Sequence, residues 1–223
     1  MALPTVFSFA PLSYSDEFQA KGYVYIRNGV LPTFLAYARA QALQPALVES
    51  PELSNWQIAG KKRQRLFQFP NTDSLESLIE TLAVLSSLDR AKLIVSERHI
   101  KLYDLSAPPF PIPHKDRLAS QIAVGIPLET PKRSRLVLFP MHGRTVNRSG
   151  NAITWQDGLE ADAPELLTDA KSLVFDTRPG DVIIFGGSSI YHEREYAAGA
   201  VILYLKLNAM GLDPLGEDPR VRR

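Results

Sequence analysis

The stretch "PIPHKDRLASQIAVGIPLE" (111–129) changes from a proline-rich segment into an apolar run, with a histidine and an aspartate at the change. Within it, 121–128 has the length and composition of a buried β-strand. Because successive residues of an extended chain point to opposite sides, His114 and Asp116 share one face, about 7 Å apart along the backbone. An imidazole and a carboxylate at that spacing can hold one cation together, but the pair alone is weak evidence and requires a third ligand.

Short strand-like runs of this kind recur through the C-terminal half of the chain. They lie at 92–95, 100–104, 121–128, 135–139, 172–176, 181–185 and 200–208. Turn residues, for example Pro179-Gly180, separate them. Several short strands with turn signals between them are typical of an antiparallel sandwich or barrel, so we expect a mainly β fold.

The N-terminal half instead contains helical patterns. Helices are predicted at 15–20, 31–48 and 73–88, and strands at 22–27 and 65–69. Neither an internal repeat nor a linker divides the chain, which predicts one domain over residues 1–223. Its expected parts are a helix-rich segment (1–90), a β core (91–210) and a tail (211–223) whose glycines, prolines and charges suggest a surface extension.

The amino-acid composition excludes several kinds of site and partner. The chain has no cysteine, which excludes disulfides, thiolate catalysis, zinc fingers and iron–sulfur clusters, so a metal must be bound by His, Asp, Glu or backbone oxygen. Twenty-five basic residues balance 24 acidic ones, which argues against duplex nucleic acid or an anionic membrane as partner. The basic run at 61–65 is interpreted as a solvated face. With no secretory signal and no apolar segment of roughly 18 residues, we expect a cytoplasmic protein without membrane contact.

The best third ligand is His192, in "RPGDVIIFGGSSIYHEREY" (178–196). A buried strand runs to Phe185, two glycines let the backbone bend, and the histidine follows. Together with His114 and Asp116 it would form the two-histidine, one-carboxylate facial triad of non-haem Fe(II) sites. The other histidines, His99 and His142, are interpreted as ordinary polar residues, and Glu193 is a poor ligand because neighbours on a strand point apart.

At this point the sequence resembles a family. His114-Lys115-Asp116, an interval of 75 residues and then Gly180-Asp181-Val182 ahead of His192 are similar to the Fe(II)/2-oxoglutarate-dependent dioxygenases. The likeness covers roughly 95–210, and 22–43 resembles the family's N-terminal strand and helix. It implies a double-stranded β-helix (jelly-roll) core with helices packed outside. It also implies Fe(II) held by His114, Asp116 and His192, with 2-oxoglutarate and O₂ as cosubstrates. Because Asp116 is a carboxylate, hydroxylation is favoured over halogenation.

The family binds the distal carboxylate of 2-oxoglutarate with a cation on the strand after the second histidine. Lys206, fourteen residues beyond His192, is the one cation between 197 and 209. Alternation along 201–208 places Val and Leu on one face, toward the helices, and the polar side chains on the other, inside the barrel. Tyr204 on the inner face could add a hydroxyl. The reserve candidates are Lys101 and Tyr103, then Arg135, and then Arg194, which is expected in a turn where it contacts substrate or solvent.

The substrate is expected to be a small or amino-acid-like molecule, with a peptide or protein side chain second. The family's DNA-repair demethylases carry a pair of arginines after the distal histidine, which this chain lacks. The loop 141–167, with Arg144, Asn147, Arg148, Trp155 and Gln156, is the expected substrate-determining insert. Two alternatives stay open: a cupin-like metalloenzyme that uses no 2-oxoglutarate, and a binding protein that has lost turnover. The oligomeric state is open too.

Overall fold

The computed structural model describes residues 5–44, 61–140, 145–157 and 172–221. Within them the helices are α1 (Leu12–Lys21), α2 (Pro32–Leu43) and α3 (Thr72–Ser86), with short 3-10 turns at Arg90–Lys92 and Trp155–Asp157. The strands are β1 (Tyr23–Ile26), β2 (Lys61–Leu66), β3 (Ile94–Tyr103), β4 (His114–Lys115), β5 (Ile122–Glu129), β6 (Arg135–Phe139), β7 (Ile153–Thr154), β8 (Leu173–Phe175), β9 (Val182–Phe185), β10 (Tyr191–Glu195) and β11 (Val201–Asn208).

Two antiparallel sheets form the core. The larger has the order β1-β9-β5-β11-β3-β2 and the smaller β7-β4-β10-β6-β8. Apolar side chains from both fill the space between them, among them Ala123 and Phe185 of the larger sheet and Leu136 and Leu138 of the smaller. This arrangement confirms the predicted mainly β, jelly-roll fold class.

The helices cover the outer face of the larger sheet. The leucine pattern of α3 is buried, and it joins one cluster with Leu203, Leu205 and Leu207 of β11. Asn71 is the N-cap of α3: its side-chain oxygen accepts a hydrogen bond from the backbone N–H of Ser74 at 2.8 Å. On the opposite face of β11, Ile202 and Tyr204 belong to a separate cluster with Tyr103. The alternation predicted for 201–208 is therefore confirmed.

Several predicted boundaries were wrong. The two strands expected at 92–95 and 100–104 are one strand, β3, because its central polar residues are also buried in the sheet. Helix α1 begins at Leu12, three residues before the expected start, and Pro11 is its N-cap. The basic run belongs to the edge strand β2, where Arg65 donates to the backbone carbonyls of Ala42 and Gln44. The run is thus part of the sheet: within 63–65 Arg63 is exposed, whereas Gln64 is buried, so the solvated-face interpretation holds only in part.

The C-terminal tail lies at the surface as expected over much of its length, but at Glu217 and Asp218 it is buried against the fold, which corrects the expectation of a simple surface extension. Glu217 and Asp218 are only 4% and 3% exposed. Glu217 Oε1 lies 2.7 Å from His99 Nε2, and Asp218 Oδ2 accepts from the backbone N–H of Val95 at 3.0 Å. Both contacts hold the tail against β3. The contact with Glu217 also shows that His99 is a partnered polar residue, as predicted. His142 lies outside the described residues.

Asp218 should make the stability of this tail depend on pH. Burial alone raises its pKa, but hydrogen bonds from Arg220 and from the Val95 backbone overcome this and hold the pKa below the ordinary 3.8. A lowered folded-state pKa stabilises the fold above the ordinary value and ceases to do so as pH falls through the folded value. We expect Asp218→Asn to lose about 1–3 kcal/mol at pH 7, measured by urea unfolding. The difference in unfolding free energy between the variant and the native protein should persist at pH 4 and become smaller at pH 3. A difference that is the same at pH 7, 4 and 3 would contradict the role of Asp218.

None of the helices in the described residues combines the length and the apolar character needed to cross a lipid bilayer. The cytoplasmic location stays a prediction.

Candidate metal centre and adjoining cavity

Three side chains predicted from the sequence meet in the interior. His114 on β4 lies directly opposite His192 on β10, and Asp116 follows β4, where its backbone N–H donates to the carbonyl of Gly187 at 2.9 Å. One ligand atom from each of the three residues lies within 4.8 Å of the others, and all three are buried. The Nε2 atoms of the histidines lie 3.9 and 3.8 Å from the two Asp116 oxygens. Two imidazoles and one carboxylate therefore converge on a single point.

The ring of His192 is oriented for metal binding. Its Nδ1 lies 3.0 Å from the backbone carbonyl of Ile190 and donates a hydrogen bond to it, which leaves the Nε2 lone pair toward Asp116. The ring also packs edge-on against Phe185, with centroids 4.7 Å apart. A histidine held in this way presents Nε2 toward Asp116 with little freedom to rotate.

The carboxylate of Asp116 is charged. Burial by itself raises its pKa, but the ammonium of Lys206 and the neighbouring histidines outweigh burial and hold the pKa of Asp116 well below its ordinary range. The amide of Asn147, a residue of the predicted substrate loop, donates to the Asp116 backbone carbonyl at 2.8 Å. Asp116 thus has a fixed backbone and a side chain that stays ionised at neutral pH.

Gly187 packs so closely on Asp116 that no side chain fits there. A Cβ at this position would lie 2.8 Å from Asp116 Oδ2 and 2.8 Å from the backbone carbonyl oxygen of Ser120. Gly187, expected together with Gly186 only to let the chain bend, therefore also makes room for the carboxylate.

Gly187→Ala should displace Asp116 and weaken metal binding by at least about tenfold, the size of effect known for residues that orient metal ligands. Isothermal titration with Mn²⁺ measures this. Gly150→Ala is the matched control, because a Cβ there meets nothing within 4 Å. If both alanine variants bound Mn²⁺ like the native protein, the close approach at Gly187 would have no role in the site.

A cavity adjoins the triad between the sheets. The larger sheet lines it with Lys101 and Tyr103 of β3 and Tyr204 of β11, and the smaller sheet with Arg194 of β10. Ala107, Pro108 and Pro111, in the segment before β4, complete the lining. The expectation that Lys101 and Tyr103 share a face toward the barrel interior fits this placement.

Arg194 is a buried cation whose described partners are hydroxyl groups. It is 4% exposed and lies on β10, which corrects the expectation of a turn. Nε donates to the Tyr204 hydroxyl at 3.4 Å, and Nη1 to Ser134 Oγ at 3.4 Å and Thr177 Oγ1 at 3.2 Å. Among the described residues, Nη2 has no hydrogen-bond partner and no carboxylate pairs with the guanidinium. A buried charge in this state is costly, which indicates an anionic ligand.

Lys206 points inward as predicted, but carboxylates of this chain surround it. Its Nζ lies 2.7 Å from Asp116 Oδ1 and 3.1 Å from Glu97 Oε2, and the residue is 3% exposed. Burial lowers the pKa of the ammonium, and the two carboxylates more than reverse this, so its pKa is raised. Sequence reasoning missed Glu97, because a lone glutamate in a strand carries no signal of its partner.

Two tyrosines, Tyr103 and Tyr204, line the cavity together with Arg194. Burial raises the pKa of Tyr103 well above its ordinary value, and its hydroxyl shares a hydrogen bond with that of Tyr204. Lys101 Nζ lies 5.2 Å from the centroid of the Tyr204 ring. As residues that bind 2-oxoglutarate, Lys101, Tyr103, Tyr204 and Lys206 all stay predictions.

The remaining candidates are Arg135 and the residues of the loop 141–167. Arg135 pairs with Glu195, and its side chain is 37% exposed. Of the loop at 141–167, residues 145–157 are described; there Trp155 packs edge-on against Tyr191, with centroids 5.2 Å apart. Arg144 lies outside the described residues.

No protein-family model matches the sequence, and no curated protein resembles it significantly. The structure, in contrast, resembles solved ones. The non-heme alpha ketoglutarate dependent epimerase SnoN from nogalamycin biosynthesis aligns with a TM-score of 0.59 at 12% identity, over 96% of this chain and 91% of that one. A Pseudomonas putida prolyl-4-hydroxylase aligns at 0.55 and 15%, over 89% and 98%. A 2OG-Fe(II) oxygenase family oxidoreductase from Burkholderia pseudomallei aligns at 0.55 and 14%, over 94% and 97%.

A second SnoN structure is a complex with Fe3+, alpha ketoglutarate and nogalamycin RO. At identities of this size the likeness establishes the fold. The chain therefore has the jelly-roll fold of these alpha-ketoglutarate-dependent, non-heme structures, and its own two histidines and aspartate converge between the sheets.

Proposed function

We propose that this protein is an Fe(II)- and 2-oxoglutarate-dependent oxygenase that hydroxylates a small or amino-acid-like molecule and releases succinate and CO₂. The observation that carries the proposal is the pairing, in one cavity, of a buried two-histidine, one-carboxylate cluster with the buried guanidinium of Arg194. The first is a set of cation ligands, and the second requires an anion. Iron and 2-oxoglutarate would meet both requirements at once.

The donor set fits Fe(II). His114, Asp116 and His192 would hold the ion on one face and leave the other coordination positions open, as in non-haem iron oxygenases. Bound iron, with 2-oxoglutarate and O₂, would supply the oxidising chemistry. The chain supplies ligation, burial and orientation: the hydrogen bond from His192 to Ile190 fixes one ring, and the absence of a side chain at Gly187 leaves space for the carboxylate.

Arg194 is the proposed anchor for the distal carboxylate of 2-oxoglutarate. A planar guanidinium can bind a carboxylate through two parallel hydrogen bonds, and Nη2 has a donor to offer. Its hydroxyl neighbours Ser134, Thr177 and Tyr204 can contact the same anion. Lys206, the expected anchor, already lies between two carboxylates, so we assign it a different role below.

The cupin-like alternative uses no 2-oxoglutarate and so leaves Arg194 buried without an anion.

For the substrate, the similar structures include an epimerase from antibiotic biosynthesis and a prolyl hydroxylase, which is compatible with a small molecule first and a peptide second. Hydroxylation is the proposed reaction, and desaturation or ring closure would use the same residues.

Uncoupled turnover tests the proposal without a known substrate. The protein supplied with Fe(II), 2-oxoglutarate and O₂ should release succinate slowly, and chelation of iron or exclusion of O₂ should stop the release. Incubation with Mn²⁺ in place of Fe(II) is the control for non-enzymatic breakdown. Tight metal binding without succinate release and without 2-oxoglutarate binding would instead support the cupin-like metalloenzyme.

A further inference from the structure

A buried group of charges adjoins Asp116, the proposed metal ligand; in it Lys206 lines the cavity and Glu97 does not. Glu97 is fully buried, and its Oε2 lies 3.1 Å from Lys206 Nζ. Its Oε1 lies 3.0 Å from Arg117 Nε and accepts from Ser120 Oγ at 3.3 Å. Lys206 in turn lies 2.7 Å from Asp116 Oδ1. One ammonium is therefore shared between a metal ligand and a second carboxylate.

The backbone register sets this arrangement. Lys206 on β11 lies directly opposite Glu97 on the neighbouring strand β3, and a register shift follows immediately after Lys206. Directly opposed residues of an antiparallel pair point to the same face with Cβ atoms about 5 Å apart, so the two side chains cannot avoid each other. Both are buried, where the local dielectric makes a single charge matter more than it does at the surface.

We propose that Glu97 is a positioning residue for the metal ligand Asp116 and acts through Lys206. By sharing the ammonium, Glu97 offsets the positive charge that Lys206 places beside Asp116, and Arg117 pairs with the other oxygen of Glu97, so that these four groups are neutral together. Lys206 holds Oδ1 of Asp116 and leaves Oδ2 for the metal. Without Glu97, the ammonium would neutralise Asp116 and repel the ion that the site is built to bind.

This inference rests on the metal centre of the proposed function and goes beyond it. It predicts effects of opposite sign for the two members of the pair, which a merely structural role would not produce. Glu97→Gln removes a negative charge and should weaken metal binding. Lys206→Met removes a positive charge and should leave metal binding as tight as in the native protein, or tighter. The double variant should return close to the native affinity.

The experiment is isothermal titration of the metal-free protein with Mn²⁺ alone at neutral pH. We expect affinity to fall about 10- to 100-fold in Glu97→Gln, the range known for residues that support metal ligands. It should recover in Glu97→Asp, and lie within about threefold of the native value in the double variant. In Lys206→Met, the visible absorption of bound Co²⁺ should also shift, because Asp116 Oδ1 loses its partner. Glu217→Gln is the matched control: this variant removes another buried carboxylate next to β3 that pairs with His99 rather than Lys206.

Native affinity in Glu97→Gln, or a loss of tenfold or more in Lys206→Met, would overturn the proposal. If Glu97→Gln does not fold, the comparison of Lys206→Met with the native protein still decides, because a purely structural pair predicts weaker binding there. Mn²⁺ binding does not depend on 2-oxoglutarate, so the two proposals fail separately. Native Mn²⁺ binding without 2-oxoglutarate binding removes the oxygenase and leaves the positioning role standing. A native protein that binds no Mn²⁺ removes both.

Discussion

Arg194→Leu is expected to lower the affinity for 2-oxoglutarate by about 100- to 1,000-fold while Mn²⁺ binding stays unchanged. Removing one partner of a buried, hydrogen-bonded charge pair costs about 3–5 kcal/mol, or roughly 150- to 5,000-fold in affinity, and the expected loss lies in the lower part of that range. Metal binding should persist because the guanidinium contacts hydroxyl groups rather than the triad. Isothermal titration with 2-oxoglutarate on the Mn²⁺-loaded protein measures the first effect.

The same variant should be at least as stable as the native protein in the absence of 2-oxoglutarate. Arg194 is buried with hydroxyl partners and an unsatisfied Nη2, so replacing it by an apolar side chain removes a cost of burial. Urea unfolding with and without 2-oxoglutarate separates the two effects. Arg135→Leu is the control, since Arg135 is more exposed and already paired with Glu195. Unchanged 2-oxoglutarate affinity in Arg194→Leu would assign the anchor to another cation, with Lys101 and Lys206 next in line.

Asp116→Ala should weaken metal binding by more than about 100-fold and abolish succinate release. Asp116 is the one negatively charged member of the triad, and loss of a direct ligand exceeds the 10- to 100-fold cost of losing a residue that only supports one. The fold should persist, because Lys206 keeps Glu97 as its partner. Mn²⁺ titration and the uncoupled succinate assay measure the two losses. Near-native succinate release in this variant would refute the role of Asp116, and a normal thermal transition excludes unfolding as the cause of a loss.

Much of the fold could be predicted because long strands carry their own signal. The apolar runs of β5, β9 and β11 mark buried strands, and the alternation of β11 even separates its helix-facing side from its cavity-facing side. Short polar strands carry no such signal. Strand β4 has two residues and β10 is largely charged, so both are strands only because their neighbours in the smaller sheet pair with them.

In the candidate site, too, some residues could be predicted from the sequence and others could not. His114, Asp116 and His192 could be predicted because a metal centre demands particular residue types: His114 and Asp116 form a local pair, and His192 follows a recognisable buried strand and two glycines. The carboxylate partner Glu97 of Lys206 and the position of Arg194 on a strand could not be predicted. The first depends on the register that places Glu97 opposite Lys206, and the second on whether the chain after His192 continues as a strand or turns. Both are decided by pairing between distant segments.

The central claim is that iron and 2-oxoglutarate bind together in the cavity between the triad and Arg194. Anaerobic titration of the Fe(II)-loaded protein with 2-oxoglutarate, followed through the weak visible metal-to-ligand charge-transfer band, tests it most directly. We predict a band that saturates in the native protein, persists in Lys206→Met, and requires at least about 100-fold more 2-oxoglutarate in Arg194→Leu. If iron binds and no band forms at any concentration, the account is contradicted and the protein is a jelly-roll metalloprotein of another kind.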